Sequence, residues 1–294
     1  MQPDPIKALE KAAQRSGLAA ADALHRHVLE GILRRTAQAW SRGGLDHTPV
    51  LRGGLMMQQW CAPAWRPTRD LDLLIADLDT FDRSALTGLI HTLLTEDGVE
   101  DGVLFEVESI ATKVLWPDSD YPGLRAVVPA RVWGVHEVTV QLDCGFGDPL
   151  VPPATQVHYP TLWNPTGDGP GGVELLACRP ESGFAWKVHG LFEQPGGRWQ
   201  QKDLHDLYLM LHHATLDMEV VPRAIAVAFS SRNTPLSATE RLLGGHFGHS
   251  RNSRRGWRRL RRDRNERDIP ASLEETVVEV AERLRPLIAA AQSA

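Results

Sequence analysis

Leu51-Arg52-Gly53-Gly54-Leu55 and, shortly after it, Arg66-Pro67-Thr68-Arg69-Asp70-Leu71-Asp72-Leu73 decide how this chain reads. Asp70 and Asp72 alternate with Leu71 and Leu73. Residues two apart in a strand share a face. The alternation therefore predicts a strand over 70–76 with both aspartates on one face and Leu71, Leu73 and Ile75 on the other. Two neighbouring carboxylates repel each other, and a divalent cation is the most effective relief. A hard ion such as Mg²⁺, or Mn²⁺ in its place, takes oxygen ligands, commonly one or two carboxylates plus phosphates. The Gly53-Gly54 step upstream lets backbone N–H groups come close to phosphate. A lone D-x-D is more often two exposed acids on an edge strand. The preceding glycines favour nucleotidyl transfer.

Two further constellations extend this reading. In Val138-Thr-Val-Gln-Leu-Asp143-Cys-Gly-Phe-Gly-Asp148, apolar and polar residues alternate, which places Asp143 at the end of a strand on its polar face. A third carboxylate from a neighbouring strand is what a two-metal phosphoryl-transfer site requires. The structural alternative is an aspartate capping the turn made by Gly145 and Gly147, and Asp148, before Pro149, reads as a turn former. Downstream, Lys187 follows Phe184, Ala185 and Trp186 on an apolar helix, where a lysine serves as a phosphate clamp or as proton donor to leaving pyrophosphate. Snorkelling is its plain alternative. Lys202, Asp203 and Asp206 lie on one later helix. Asp203 and Asp206, three apart, share a face, and a Lys202–Asp206 surface pair is the plain alternative.

The composition is that of an ordinary globular protein: 294 residues, 42% hydrophobic and 23% charged. Length predicts one large domain or two smaller ones. Cys61, Cys144 and Cys178 show no C-x-x-C spacing, which argues against a disulfide framework or zinc site and fits a reducing, cytoplasmic location. No signal peptide is read in the charged N-terminus, and no apolar run approaches the roughly 20 residues of a membrane span. The net charge of −5 hides an asymmetry. Between Arg251 and Asp268 nine arginines face three acids, a local net of +6 that leaves −11 on the rest of the chain. Arg251, Arg254, Arg255, Arg258, Arg259 and Arg262 recur at helical spacing as one stripe. Such a stripe can track phosphates, with Trp257 stacking on an unpaired base. Pairing with the acidic body, or with an acidic partner protein, are the alternatives, and a tryptophan such as Trp257 is more often a packing anchor.

Along the chain, residues 5–41 read as two helices and Thr48–Leu51 as a short strand. Leu55–Trp60 begins a helix, and Phe81–Leu94 forms another capped by Asp79 or Thr80. Val103–Lys113, Leu124–Val132 and His136–Cys144 read as strands. The prediction is an α/β (α+β) core over 1–150, a Pro/Gly-rich connection over 151–180 and a helical domain over 181–294.

The order of these pieces resembles the AbiEii/AbiGii nucleotidyltransferase toxins, the family that includes the mycobacterial MenT toxins. The family pattern runs K-G-G-[TA], then R-x-[ST]-x-D-[IL]-D, a strand ending in a D-x-G-F-G-D element, a helix ending E-[KR], and R-x-K-D-x-x-D-[LI]. This chain gives Arg52-Gly53-Gly54, Arg66-Pro-Thr68-Arg-Asp70-Leu-Asp72, Asp143-Cys-Gly-Phe-Gly-Asp148, Ala185-Trp186-Lys187 and Lys202-Asp203-Leu-His-Asp206-Leu. Each motif alone is weak, but five in order over about residues 28–212 are specific.

The resemblance implies a DNA polymerase β-like nucleotidyltransferase core with a mixed sheet. It makes Asp70 and Asp72 Mg²⁺ ligands, with Lys187 and Asp203 or Asp206 in the active site. Relatives transfer a nucleotide from an NTP, some to the 3′ end of tRNA, which blocks aminoacylation and hence translation. They pair with an antitoxin protein encoded nearby. Three departures stand out: Arg52 replaces the leading lysine, Leu55 the Ser or Thr after the glycines, and Trp186 a glutamate.

The expected reaction is attack of an acceptor hydroxyl on the α-phosphate of an NTP. Asp70, Asp72 and Asp143 are the metal ligands, and Lys187, Asp203 and Asp206 complete the catalytic set. Arg52, Gly53, Gly54, Lys187 and Lys202 are expected to bind the nucleotide, and Arg254, Arg255, Arg258, Arg259 and Arg262 the RNA. A protein or small-molecule acceptor is the rival enzyme reading. A non-catalytic nucleotide- or RNA-binding module, favoured by Leu55, is the rival of another class.

Overall fold

A computed structural model describes the chain except residues 1–3, 65–66, 165–170, 194–198, 246, 265–268 and 294. Arg66 of the second motif, Pro165 and Pro170, and the tail of the arginine block thus lie outside the described residues. The chain divides into two compact units, Met1–Leu55 with Pro67–Gly147 and Thr155–Ala177, and Met56–Arg66 with Asp148–Ala154 and Cys178–Ala294.

The first unit is a mixed sheet covered by helices. Helix α1 (Pro5–Arg15) starts on a proline, and the Asp4 side chain accepts from the Ile6 N–H at 3.1 Å. Helix α2 (Ala20–Ser41) buries Val28, Leu29, Ile32 and Leu33 at the expected helical spacing. It also buries charge. Glu30 is fully enclosed, accepting from Arg26 at 2.7 Å and from the Leu162 N–H at 2.9 Å. Arg35 pairs with buried Asp101 at 2.9 Å. Buried charges persist only when paired and hydrogen-bonded in this way.

The strands are β1 (Pro49–Arg52), β2 (Asp70–Ile75), β3 (Val103–Phe105), β4 (Ala111–Leu115), β5 (Gly123–Val132), β6 (His136–Phe146), β7 (Thr155–Thr161) and β8 (Gly171–Ala177). Among the described residues their order is β3-β5-β6-β2-β1-β8-β7, with β4 also paired to β5. β2 runs parallel to β6 and β1 parallel to β8, while the other pairs are antiparallel.

Three expectations about elements are corrected. The strand expected over 103–113 is two strands separated by a 3₁₀ turn at Val107–Ser109. Helix α4 (Arg83–Thr95) begins later than expected, because Asp82 is its cap, its carboxylate accepting from the Ala85 N–H at 2.9 Å. The stretch 151–180, expected as a connection, contributes β7 and β8 to the sheet. Its proline and glycine content conceals them. Pro160 lies in β7, at the end of the strand order, where an unpaired side of the backbone tolerates a missing N–H.

The second unit is helical: α3 (Gly54–Trp60, shared at its first turn with the sheet unit), α5 (Pro180–Gly190), α6 (Gln201–His213), α7 (Val221–Ser231), α8 (Glu240–Leu243), α9 (Arg251–Arg264) and α10 (Leu273–Ala291). Its core gathers Phe184, Val188, Leu204, Leu207, Ile225, Phe229, Trp257 and the inner face of α10. The three cysteines are buried thiols, none of them in a disulfide. Among the described residues no helix is long and apolar enough to cross a membrane.

Candidate active site

Strand register assembles the first cluster. Arg52 on β1 faces Asp72 on β2, Asp72 faces Asp143 on β6, and Asp143 faces Arg125 on β5. Directly opposed residues share a face of the sheet. Arg52, Asp72, Asp143 and Arg125 therefore form one continuous row across four strands. The next row, Leu51, Leu73, Cys144 and Leu124, is buried on the other face. Asp70 sits two residues before Asp72, also half-buried, and faces Gln141. Asp70, Asp72 and Asp143 are thus brought onto one half-open patch, as the alternation predicted for the first two.

Arg125 was not anticipated. Its Nε and Nη2 donate to the two oxygens of Asp143 at 2.7 and 2.6 Å, a fork-on-fork pair. The Asp143 hydrogen bond and the charges of Asp143, Asp70 and Asp72 hold its guanidinium above its usual range. The field of all three carboxylates converges on this residue. Asp143, expected as a metal ligand, thus has both oxygens engaged by an arginine.

The two glycines make room for the acids. Gly53 has φ +73°, and a Cβ there would overlap the Asp72 carboxylate. A Cβ on Gly54 would meet Thr68 Oγ1. That hydroxyl donates to the Asp70 carboxylate in turn. The Gly-Gly step therefore lets the backbone lie directly against Asp72 and the Thr68–Asp70 pair. The Arg52 guanidinium lies over Gly145, where a Cβ would meet its Nη2 at 2.6 Å. Leu55, which departs from the family pattern, is buried and serves packing. Cys144, one residue along from Asp143, is pushed up to about 12, chiefly by burial, and stays a thiol.

Among the described residues no group of three or more His, Cys, Asp or Glu side chains is gathered to hold a metal. Mg²⁺ does not require an all-protein cage: one or two carboxylates plus substrate phosphates is its usual set. Asp70 and Asp72, two residues apart on one strand face with backbone glycine beside them, fit that donor set.

The helical unit builds a second cluster by itself. Lys187 on α5 reaches Asp206 Oδ2 at 2.7 Å and Asp203 Oδ1 at 3.4 Å, both on α6. Asp206 is fully buried and Lys187 nearly so. The Lys202–Asp206 surface pair therefore does not form: Asp206 points inward to Lys187, and Lys202 is half-buried outside this set of ion pairs. His205, which sequence reasoning passed over, lies fully buried beside Asp206, Nδ1 to Oδ1 3.3 Å. Trp186 donates to the Pro149 carbonyl at 3.3 Å and lies under the Arg232 guanidinium, which pairs with Asp148. Asp148 is thus an ion-pair partner as well as a turn residue.

On α9, Arg251, Arg254, Arg255, Arg258, Arg259 and Arg262 are exposed as the stripe predicted. Trp257 is only 1% exposed and belongs to the core, near His205, so it cannot stack on a base. Its packing reading is the correct one. Intramolecular pairing accounts for Arg254, whose Nε meets Glu274.

The mixed sheet thus presents paired aspartates behind a Gly-Gly step, and the helical unit carries its own Lys–Asp cluster. The sequence model of the nucleotidyl transferase AbiEii toxin, type IV toxin–antitoxin system, matches residues 36–280. The chain belongs to that family of nucleotidyltransferase toxins, whose members act opposite an antitoxin. Among solved structures it is similar to MenT4, a nucleotidyltransferase toxin from Mycobacterium tuberculosis H37Rv, with TM-score 0.51 and 18% identity over 97% of this chain and 98% of that one. That likeness supports the fold. Comparison with curated protein sequences gives no match.

Proposed function

We propose that this toxin transfers a nucleoside monophosphate from an NTP to the 3′ end of tRNA in the cytoplasm and so blocks translation. The observation that carries the transfer is the row Arg52–Asp72–Asp143–Arg125 with Asp70 beside it. The acceptor hydroxyl attacks the α-phosphorus. A new P–O bond forms as the hydroxyl gives up its proton to solvent water, the bond to the bridging oxygen of the β-phosphate breaks, and its electron pair leaves with pyrophosphate. Asp70 and Asp72 would hold Mg²⁺ or Mn²⁺, which supplies positive charge to the triphosphate. Thr68 fixes the rotamer of Asp70, and Gly53 leaves space for Asp72 and backbone access to phosphate. Arg52 offsets negative charge beside Asp72 at one end of the row, and Arg125 keeps Asp143 from repelling Asp72. We assign Lys187, oriented by Asp203 and Asp206, and Lys202 to the same reaction as cationic groups.

The test is transfer of label from each α-³²P NTP in turn to total tRNA, with Mg²⁺ or with chelator. Labelled tRNA is expected with Mg²⁺ alone. The label should disappear when the 3′-terminal diol is first destroyed by periodate. Label on protein or on a small molecule instead would overturn the tRNA reading.

A further inference from the structure

Asp143 stands between two partners in the strand register: Asp72 of β2 on one side and Arg125 of β5 on the other. Arg125 grips it with a fork, Nε to one oxygen at 2.7 Å and Nη2 to the other at 2.6 Å. The Asp143 side chain is 16% exposed and that of Arg125 32%, so water screens the pair only in part. Two residues beyond Asp143, on the same face of β6, the Arg52 guanidinium covers Gly145. Positive charge therefore flanks Asp143 both across the sheet and along its own strand.

A two-metal site needs a third carboxylate to hold its second ion. Asp143 occupies that place, but an ion on either of its oxygens would share that oxygen with the guanidinium. Like charges on a shared ligand repel, and partial burial makes the repulsion stronger than in water. The charge balance of the site agrees. Three carboxylates with two divalent ions carry a net +1. Asp70, Asp72 and Asp143 with Arg52, Arg125 and a single divalent ion carry the same +1.

The fold thus already holds the positive charge that a second ion would bring to a triphosphate. Arg125 is able to present it. A guanidinium carries five N–H groups, and the fork on Asp143 uses two of them. The planar group also matches phosphate oxygens as a donor.

We propose that Arg125 takes the place of a second metal ion: the sheet site binds one divalent ion, on Asp70 and Asp72, and Asp143 anchors Arg125 instead of ligating metal. The proposal rests on the nucleotidyl-transfer reading above and adds the number of ions and the role of Arg125. A plain cross-strand ion pair is the rival account of the same contact.

Binding of Mn²⁺, the EPR-visible relative of Mg²⁺, separates the two. Ions bound to the full chain are counted by equilibrium dialysis, with Mn²⁺ alone and with each α,β-methylene NTP in turn, whose carbon bridge blocks transfer. EPR of the bound fraction shows whether any two ions are spin-coupled. Wild type is expected to bind one uncoupled ion, and Asp70→Asn to weaken that binding by at least about tenfold. Arg125→Met, which keeps the stem and removes the charge, is expected to bind two coupled ions, because Asp143 becomes available as a ligand. Adding Asp143→Asn to Arg125→Met leaves the local net charge of wild type. That double variant is expected to return to one ion, with affinity within about threefold of wild type. Melting curves check folding, and the double variant, which leaves no unpaired carboxylate, carries the test if Arg125→Met alone does not fold.

Two coupled ions in wild type overturn the proposal and leave the metal reading of Asp70 and Asp72 standing. A single ion in folded Arg125→Met also overturns it, and reduces the contact to a plain ion pair. A loss beyond about tenfold in the folded double variant overturns it by making Asp143 a ligand. No Mn²⁺ bound to wild type under any of these conditions overturns the metal reading and the proposal together.

Discussion

The two charged clusters are built by different means. In the sheet unit, Asp70, Asp72 and Asp143 are placed by backbone ladders, and their side chains stay half-open. In the helical unit, Lys187, Asp203 and Asp206 are placed by one another, with Asp206 fully buried. A ladder survives loss of a side chain, whereas a buried ion pair does not survive loss of its partner. The sheet cluster thus holds its place without drawing on its charges, whereas the helical cluster spends part of its own on folding.

The sharpest way to break this contrast is Asp70→Asn. Losing charge at a metal–phosphate site is expected to lower transfer about a thousandfold, since such sites contribute several kcal/mol at 1.36 kcal/mol per tenfold. The melting temperature should move by no more than a few degrees. A collapse in melting temperature would show that Asp70 is structural. Next comes Lys187→Met, which leaves Asp206 charged, buried and without its lysine. Denaturant titration should show a loss of about 3–5 kcal/mol, largely recovered when Asp206→Leu is added. A loss below 1 kcal/mol would mean that the pair is solvated.

A smaller effect treats the two units alike. His27 in the first and His189 in the second are both lowered to about 4, by burial in each case and by Arg34 as well for His27. The unfolded chain protonates them near 6.5. It therefore binds more protons than the folded chain between about 6.5 and 4, and stability falls as pH drops through that window. The expected loss from pH 7 to 5 is on the order of 2 kcal/mol per histidine. His189→Gln should flatten the pH dependence of the melting temperature, and an unchanged curve would contradict its burial as neutral imidazole. The smallest effect is Gly53→Ala. Positive φ and the overlap with Asp72 should cost about 1 kcal/mol or more, with transfer reduced alongside.

What was legible in the sequence was local. The alternation Asp70-Leu71-Asp72-Leu73 has the period of a strand, and the arginine stripe has the period of a helix. Both carry their geometry within a few residues. Arg125 was not legible, because its meeting with Asp143 depends on the register of β5 and β6 across eighteen positions. The helical side of Trp257 follows from the same periodicity as the arginines, but the partner on that side, the core near His205, does not. β7 and β8 were hidden because Pro160, Gly171 and Gly172 are turn formers by local rule, and only their place in the sheet permits them in strands.

In the proposed reaction the aspartate pair of the sheet carries the transfer. The most direct measurement is incorporation of α-³²P-labelled nucleotide into tRNA by wild type and Asp72→Ala, at equal concentration with Mg²⁺, with matched melting curves. Label is expected from wild type only, with overlapping melts. Undiminished label from a folded Asp72→Ala would contradict it.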